Sequence, residues 1–209
     1  SPKYEAMAFE DNEVKRICVE NFGGVNGITQ ASYGKTGVVG IEGEVTYEQV
    51  LAVTAIGSLF TGNKTIARFN EFVYFKNLTF MGNTSFQGCS NLQDVSLPYI
   101  NIVGDSTFSG CISLKNINTL FGLKITKATY MFNNCTALSS IDASGWSMGA
   151  CTTTSYMFQN CTYLSTLLGG SQDKPSALLG TKISLSVSNS PLDKASLLGL
   201  SAPEMTVLI

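Results

Sequence analysis

The sequence predicts an α/β fold: a right-handed solenoid of short parallel strands with a helical N-terminal cap and an αβ C-terminal cap. Two observations predict it. One ten-residue pattern recurs four times without gaps, and the residues it fixes are aromatic, thiol and aliphatic. The copies are Phe86-Gln-Gly-Cys89-Ser-Asn-Leu92-Gln-Asp-Val95, Phe108-Ser-Gly-Cys111-Ile-Ser-Leu114-Lys-Asn-Ile117, Phe132-Asn-Asn-Cys135-Thr-Ala-Leu138-Ser-Ser-Ile141 and Phe158-Gln-Asn-Cys161-Thr-Tyr-Leu164-Ser-Thr-Leu167. Their starts lie 22, 24 and 26 residues apart. A period in the twenties is one turn of a leucine-rich-repeat solenoid. One turn cannot bury its own apolar face, so Phe, Cys, Leu and the aliphatic residue must stack as ladders on neighbouring turns.

The elements follow in order. Asp11 or Asn12 is placed to N-cap a helix whose Val14, Ile17, Cys18 and Phe22 share one face. Glycine-rich residues 23–43 read as an irregular loop. Thr46-Tyr-Glu-Gln49 is a capping box that opens a second helix to about Val53. A third short helix starts at Phe69 or Asn70 and runs to about Lys76, which completes a helical cap over 1–78. The solenoid spans 79–170. In Leu92-Gln-Asp-Val95-Ser-Leu97-Pro98, Val95 and Leu97 point inward, Asp94 and Ser96 outward, and Pro98 ends the strand. Strands of adjacent turns are expected to pair in parallel. A C-terminal cap over 171–209 should contain a strand at 182–188, a helix from Pro191 to about Leu200, and a last strand from Met205 to Ile209.

Composition narrows the chemistry. The 209 residues include 13 Lys+Arg and 15 Asp+Glu, a formal net charge of -2, and no histidine. Zero histidine removes His-based triads, His general bases and the imidazole ligands of most catalytic zinc sites. Near-neutral charge with no Lys/Arg cluster gives no footprint for nucleic acid. Ser, Thr and Asn number 23, 20 and 15, so hydroxyls and amides cover the surface instead of ions. The longest mostly apolar run, Val50 to Phe60, contains Thr54, Gly57 and Ser58 and falls short of the ~20 residues of a membrane span. The start, Ser1-Pro2-Lys3-Tyr4, is compatible with a mature or trimmed terminus and is no argument for the cytoplasm.

The repeats come in two types. The first two follow Gly82-Asn-Thr-Ser-Phe86 and Gly104-Asp-Ser-Thr-Phe108; the last two follow Tyr130-Met131 and Tyr156-Met157, with Asp142-Ala-Ser144-Gly-Trp146 after Ile141. In these residues the chain resembles the BspA-like leucine-rich-repeat proteins of bacterial surfaces. The match is close over 79–168. The stretches Phe9 to Val19, Gly43 to Glu48 and Phe69 to Phe75 are similar to a segment that precedes such repeats in gut-bacterial surface proteins. The resemblance implies an exported, non-enzymatic adhesion or interaction protein, extracellular or at the cell surface. It also implies a calcium loop of EF-hand type before the second helix. Here Val38 and Gly40 stand at two ligand positions and Gln49 at that of the bidentate Glu, so the loop is degenerate and no metal is expected.

Four of the six cysteines occupy one repeat position, where parallel side chains are badly oriented for relaxed disulfides. Buried free thiols filling a tight turn are the expectation, with Cys18 on the first helix's apolar face and Cys151 off register and open to exposure. No short-spaced Cys pair suggests a metal. Trp146 is read as packing beside its strand. Glu48, Glu71 and Asp142 lie in different modules and form no glycosidase pair, and Gly23-Gly24 lacks the Gly-Lys-Ser/Thr of a phosphate loop. The candidate binding residues are therefore the outward strand positions Asp94, Ser96, Asn116, Asn118, Ser140 and Asp142. No catalytic residue and no cofactor is expected. The expected partner is a protein or glycan; the alternative is a structural or assembly domain of a larger surface or phage-tail-like protein.

Overall fold

The computed structural model describes residues 4–119, 122–143, 145–168, 184–186 and 206–208. Its N-terminal region opens with α1 (Asn12–Phe22), capped by Asp11, whose Oδ1 accepts from the Glu13 and Val14 N–H groups. Val14, Ile17, Cys18 and Phe22 are buried on one face, as the periodicity predicts. The second Asp11 oxygen accepts from Ala67 N–H at 2.6 Å and Arg68 N–H at 3.1 Å, which ties the helix start to the first strand. Residues 23–43 are irregular apart from a 3₁₀ turn, Ala31–Tyr33. The helix α2 (Tyr47–Leu51) carries the complete Thr46/Gln49 capping box and stops two residues before the expected Val53.

The third expected helix is a 3₁₀ helix, Asn70–Tyr74. Its tighter winding eclipses positions three apart. That brings Phe69 over Phe72, with ring centroids 4.8 Å apart, and Phe72 edge-on to Phe75 at 5.3 Å. An α-helix would fan these three rings around its axis.

Among the described residues, four successive turns of the solenoid each contribute two strands where the sequence suggested one. The first set is β1 (Arg68–Phe69), β3 (Asp94–Ser96), β5 (Asn116–Asn118), β7 (Ser140–Asp142) and β9 (Thr166–Leu168). The second is β2 (Phe80–Met81), β4 (Ile100–Ile102), β6 (Leu123–Ile125) and β8 (Trp146–Ser147). All pairings are parallel. The second set forms one continuous sheet in the order β2-β4-β6-β8. The first set divides into β1-β3-β5 and β7-β9, so the expected pairing of every adjacent turn fails between β5 and β7. Farther on, β10 (Ser184–Ser186) pairs in parallel with β11 (Thr206–Leu208). The helix expected from Pro191 lies outside the described residues.

The pattern residues build the core. Phe86, Phe108, Phe132 and Phe158 stack with centroids 5.6 to 5.7 Å apart and planes within 4° of parallel. Each ladder thiol donates to the carbonyl of the phenylalanine one turn back: Cys111 to Phe86, Cys135 to Phe108 and Cys161 to Phe132, at 2.9 to 3.2 Å. Cys89 makes the same bond to Phe60, whose ring stacks on Phe86 at 5.4 Å. Phe60-Thr-Gly62-Asn63-Lys-Thr-Ile66-Ala-Arg-Phe69 is thus an earlier rung of the ladder, with Asn63 where later turns carry cysteine.

The glycine-or-asparagine position of the pattern has a backbone cause. Gly62, Gly88, Gly110, Asn134 and Asn160 all hold φ between 60° and 75°. Only Gly, and less readily Asn, enters that left-handed region at low cost. Beside it, the amide of each ladder phenylalanine donates to the next turn, Phe86 to Thr107, Phe108 to Met131 and Phe132 to Met157, each at 2.9 Å.

All six cysteines are free and buried, which corrects the expectation of an exposed Cys151; it is 9% exposed and donates to Thr153 O. Burial pushes the Cys89 and Cys161 thiols up to about 12 and raises the other four as well. The nucleophile is the thiolate, so the folded protein should give no rapid reaction with a thiol reagent at pH 8. Six equivalents are expected to react once it is denatured, without prior reduction; a shortfall would reveal a disulfide.

Candidate interaction surface

The outward positions of β1, β3 and β5 form two rows set by strand register, Arg68–Asp94–Asn116 and the row through Ser96 and Asn118. Along the first, the Arg68 guanidinium pairs with the Asp94 carboxylate, and Asn116 Nδ2 donates to the other Asp94 oxygen at 2.5 Å. Along the second, Asn118 Nδ2 donates to Ser96 Oγ at 3.3 Å and Ser96 Oγ donates to Asn70 Oδ1 at 2.7 Å. Asn70 Nδ2 continues the chain to Glu10 Oε1. Cross-strand hydrogen bonds of this kind stabilise a sheet face and consume polar capacity.

This changes the standing of two candidates. Asp94 and Ser96 do point outward, but they are 9% and 8% exposed because their row partners cover them. They hold Asn116 and Asn118 in place instead of presenting themselves to solvent. Asn116, Asn118, Ser140 and Asp142 remain exposed.

These four meet at the seam between β5 and β7. There the chain opens a cleft of about 140 Å³, walled by Lys115, Asn116, Ile117 and Asn118 on one side and Leu138, Ser140, Ile141, Asp142 and Trp146 on the other. Asn116 N–H donates to Gln93 O, and Asn118 O accepts from Leu97 N–H, so the main chain of both faces β3. Alternation along a strand then turns the Ile117 N–H and C=O toward the seam. Ile117 is only partly buried, whereas Val95, its partner in β3, is fully buried. The seam falls where the first repeat type gives way to the second. Trp146 is packed as expected, 5% exposed and stacked on Phe132 at 6.0 Å. Its indole N–H is buried with no hydrogen-bond partner among the described residues.

The N-terminal loop is organised by an amide. Gln49 Nε2 donates to Gly24 O at 2.8 Å and Val38 O at 3.0 Å, while its Oε1 accepts from Thr46 N–H. The amide thereby ties the glycine-rich loop to the start of α2. Among the described residues no three His, Cys, Asp or Glu side chains gather around a common point.

A model of the BspA-type leucine-rich repeat region matches residues 62–172 in six copies. The chain belongs to the BspA-type leucine-rich-repeat family. Repeats of this family form a protein-interaction fold, generally non-enzymatic and typically surface-associated. No curated protein and no solved structure matches the chain. Among the described residues no helix is long and apolar enough to cross a membrane. The family region reaches back to Gly62, in agreement with the Phe60 rung; the four-copy pattern missed this turn because Asn63 replaces the diagnostic cysteine.

Replacing Gln49 with Ala strips partners from the Gly24 and Val38 carbonyls and the Thr46 N–H; urea denaturation should show a loss of roughly 2–4 kcal/mol. Glu71 is 8% exposed with Oε1 unpaired, and burial raises its carboxyl above the usual range. The native state therefore binds its proton more tightly than the unfolded state, and this group's contribution weakens as pH rises from ~4.3 through the raised value. Glu71→Gln should stabilise the protein at pH 7, and the gain should vanish below about pH 4.

Proposed function

We propose that this protein is an exported or cell-surface module of a bacterium that adheres to a protein or glycan partner through the outward face of its repeats, without catalysing a reaction. The observation that carries the reading is the seam: four exposed polar side chains, Asn116, Asn118, Ser140 and Asp142, gather at a cleft where the polar rows end and strand pairing stops. Donors and acceptors are mixed there. Such a surface favours hydrogen-bonded contact over electrostatic capture. Asp94 and Ser96 act as positioning residues, fixing the amides of Asn116 and Asn118 through the rows.

The division of the chain belongs to the same proposal. Residues 1–78 are assigned as the helical N-terminal cap, 79–170 as the solenoid and 171–209 as the C-terminal cap. The Phe60 ring, stacked on Phe86, extends the ladder packing into the N-terminal block.

Adhesion is tested by screening the protein against an array of glycans and immobilised extracellular-matrix proteins. An Asn116→Lys/Asp142→Lys double variant should then be compared on whichever ligand binds. Loss of at least about tenfold in affinity is expected, equal to ~1.4 kcal/mol. Unchanged binding by a variant with native thermal stability removes this face from consideration.

A further inference from the structure

The second sheet, which the proposal above does not use, carries a site of different chemistry. Its strand register aligns Phe80, Asn101, Lys124 and Ser147 on the outer face, since Ile100 and Ile102 are turned into the core. Beside this row lies a hollow of about 310 Å³ lined by Lys76, Asn77, Tyr99, Asn101 and Lys124 among others. A second hollow of about 250 Å³ adjoins it and shares Lys76 and Tyr99 as its wall.

Three features of the hollow specify a ligand. Lys76 and Lys124 both border it, no acidic residue lines either hollow, and among the described residues neither lysine is within ion-pair distance of a carboxylate. Two uncompensated ammonium groups on a chain of net charge -2 make a local positive field that an anion would relieve. Asn101 Oδ1 is buried and has no hydrogen-bond partner, although buried acceptors are nearly always satisfied. Rotation of the half-buried Asn101 side chain would bring this acceptor into the hollow, where a ligand hydroxyl would supply the missing donor. Tyr99 is 63% exposed and presents an aromatic ring with a polar tip, the kind of amphipathic surface that an apolar ring face covers.

We propose that this hollow binds an acidic saccharide, a sugar ring bearing a carboxylate or a sulfate. The anion lies between Lys76 and Lys124, a ring hydroxyl donates to Asn101 Oδ1, and the C–H face of the ring covers Tyr99. An extended acidic peptide fits less well. Strand β4 is already paired on both edges, with β2 and β6, so no backbone groups are left to receive a peptide strand.

The test is calorimetric titration of the full chain with a hexuronate tetrasaccharide, a sulfated oligosaccharide of equal length, the carboxyl-reduced neutral tetrasaccharide, and an oligoglutamate peptide. Binding of one or both acidic sugars, weakening with salt and absent for the neutral sugar, is expected. The two acidic arms identify which anion is preferred. Lys76→Gln/Lys124→Gln should weaken binding at least about tenfold and Tyr99→Ala about fivefold. Lys64→Gln, at an exposed lysine that lines neither hollow, should leave it unchanged. Equal binding of the neutral sugar, tighter binding of oligoglutamate, no heat with any acidic sugar at millimolar concentration, or indifference to the lysine variants would each overturn the proposal.

Discussion

The rest of the structure depends on the contact between one turn and the next at the phenylalanine–cysteine rung. Rings at 5.6 to 5.7 Å cover both faces of Phe108 and Phe132, and each neighbouring thiol adds a second donor to a carbonyl that already accepts the cysteine N–H of its own turn. The two parts reinforce each other. A purely apolar residue in place of cysteine would forfeit the bond to the previous turn and leave the carbonyl with its own-turn donor alone. Because the rung repeats, it sets like positions of successive turns side by side.

Outward chemistry follows from that alignment. Parallel register puts like positions of successive turns side by side, so residues 22 or 26 apart in sequence become hydrogen-bonded neighbours, as Asp94 does with Asn116 and with Arg68. Where pairing stops between β5 and β7, this cross-turn continuation ends, and Asn116, Asn118, Ser140 and Asp142 line the cleft there. The core continues across this break, since Phe108 and Phe132 remain stacked within 2° of parallel. The interior and the surface of the solenoid are therefore only partly coupled, and strand pairing stops on one face without disturbing the ladder.

Much of this was legible in the sequence because the ladder residues are chemically distinctive. Phe, Cys and Leu at fixed offsets can mean little except stacked turns, and the capping box at Thr46 and Gln49 names its own hydrogen bonds. What stayed hidden has physical causes. Asn63 in the first turn breaks the pattern at its most recognisable position. The second strand of each turn, such as Ile100-Asn-Ile102, is too short for alternation to stand out beside Pro98. The burial of Asp94 and Ser96 depends on neighbours 22 and 26 residues away. The seam and the Lys76–Tyr99–Lys124 hollow depend on where whole turns sit, which no local pattern encodes.

The carboxylate of Asp11 links two stretches of chain more than fifty residues apart, holding α1 with one oxygen and the start of β1 with the other. In a stacked array each turn contacts only its neighbours, so the terminal one is ordinarily the first to fray. Here the first turn cannot open without also uncapping the helix, and the helix cannot unwind without releasing the strand. Melting from this end is thereby made cooperative, and a single side chain converts a loose terminus into a latch.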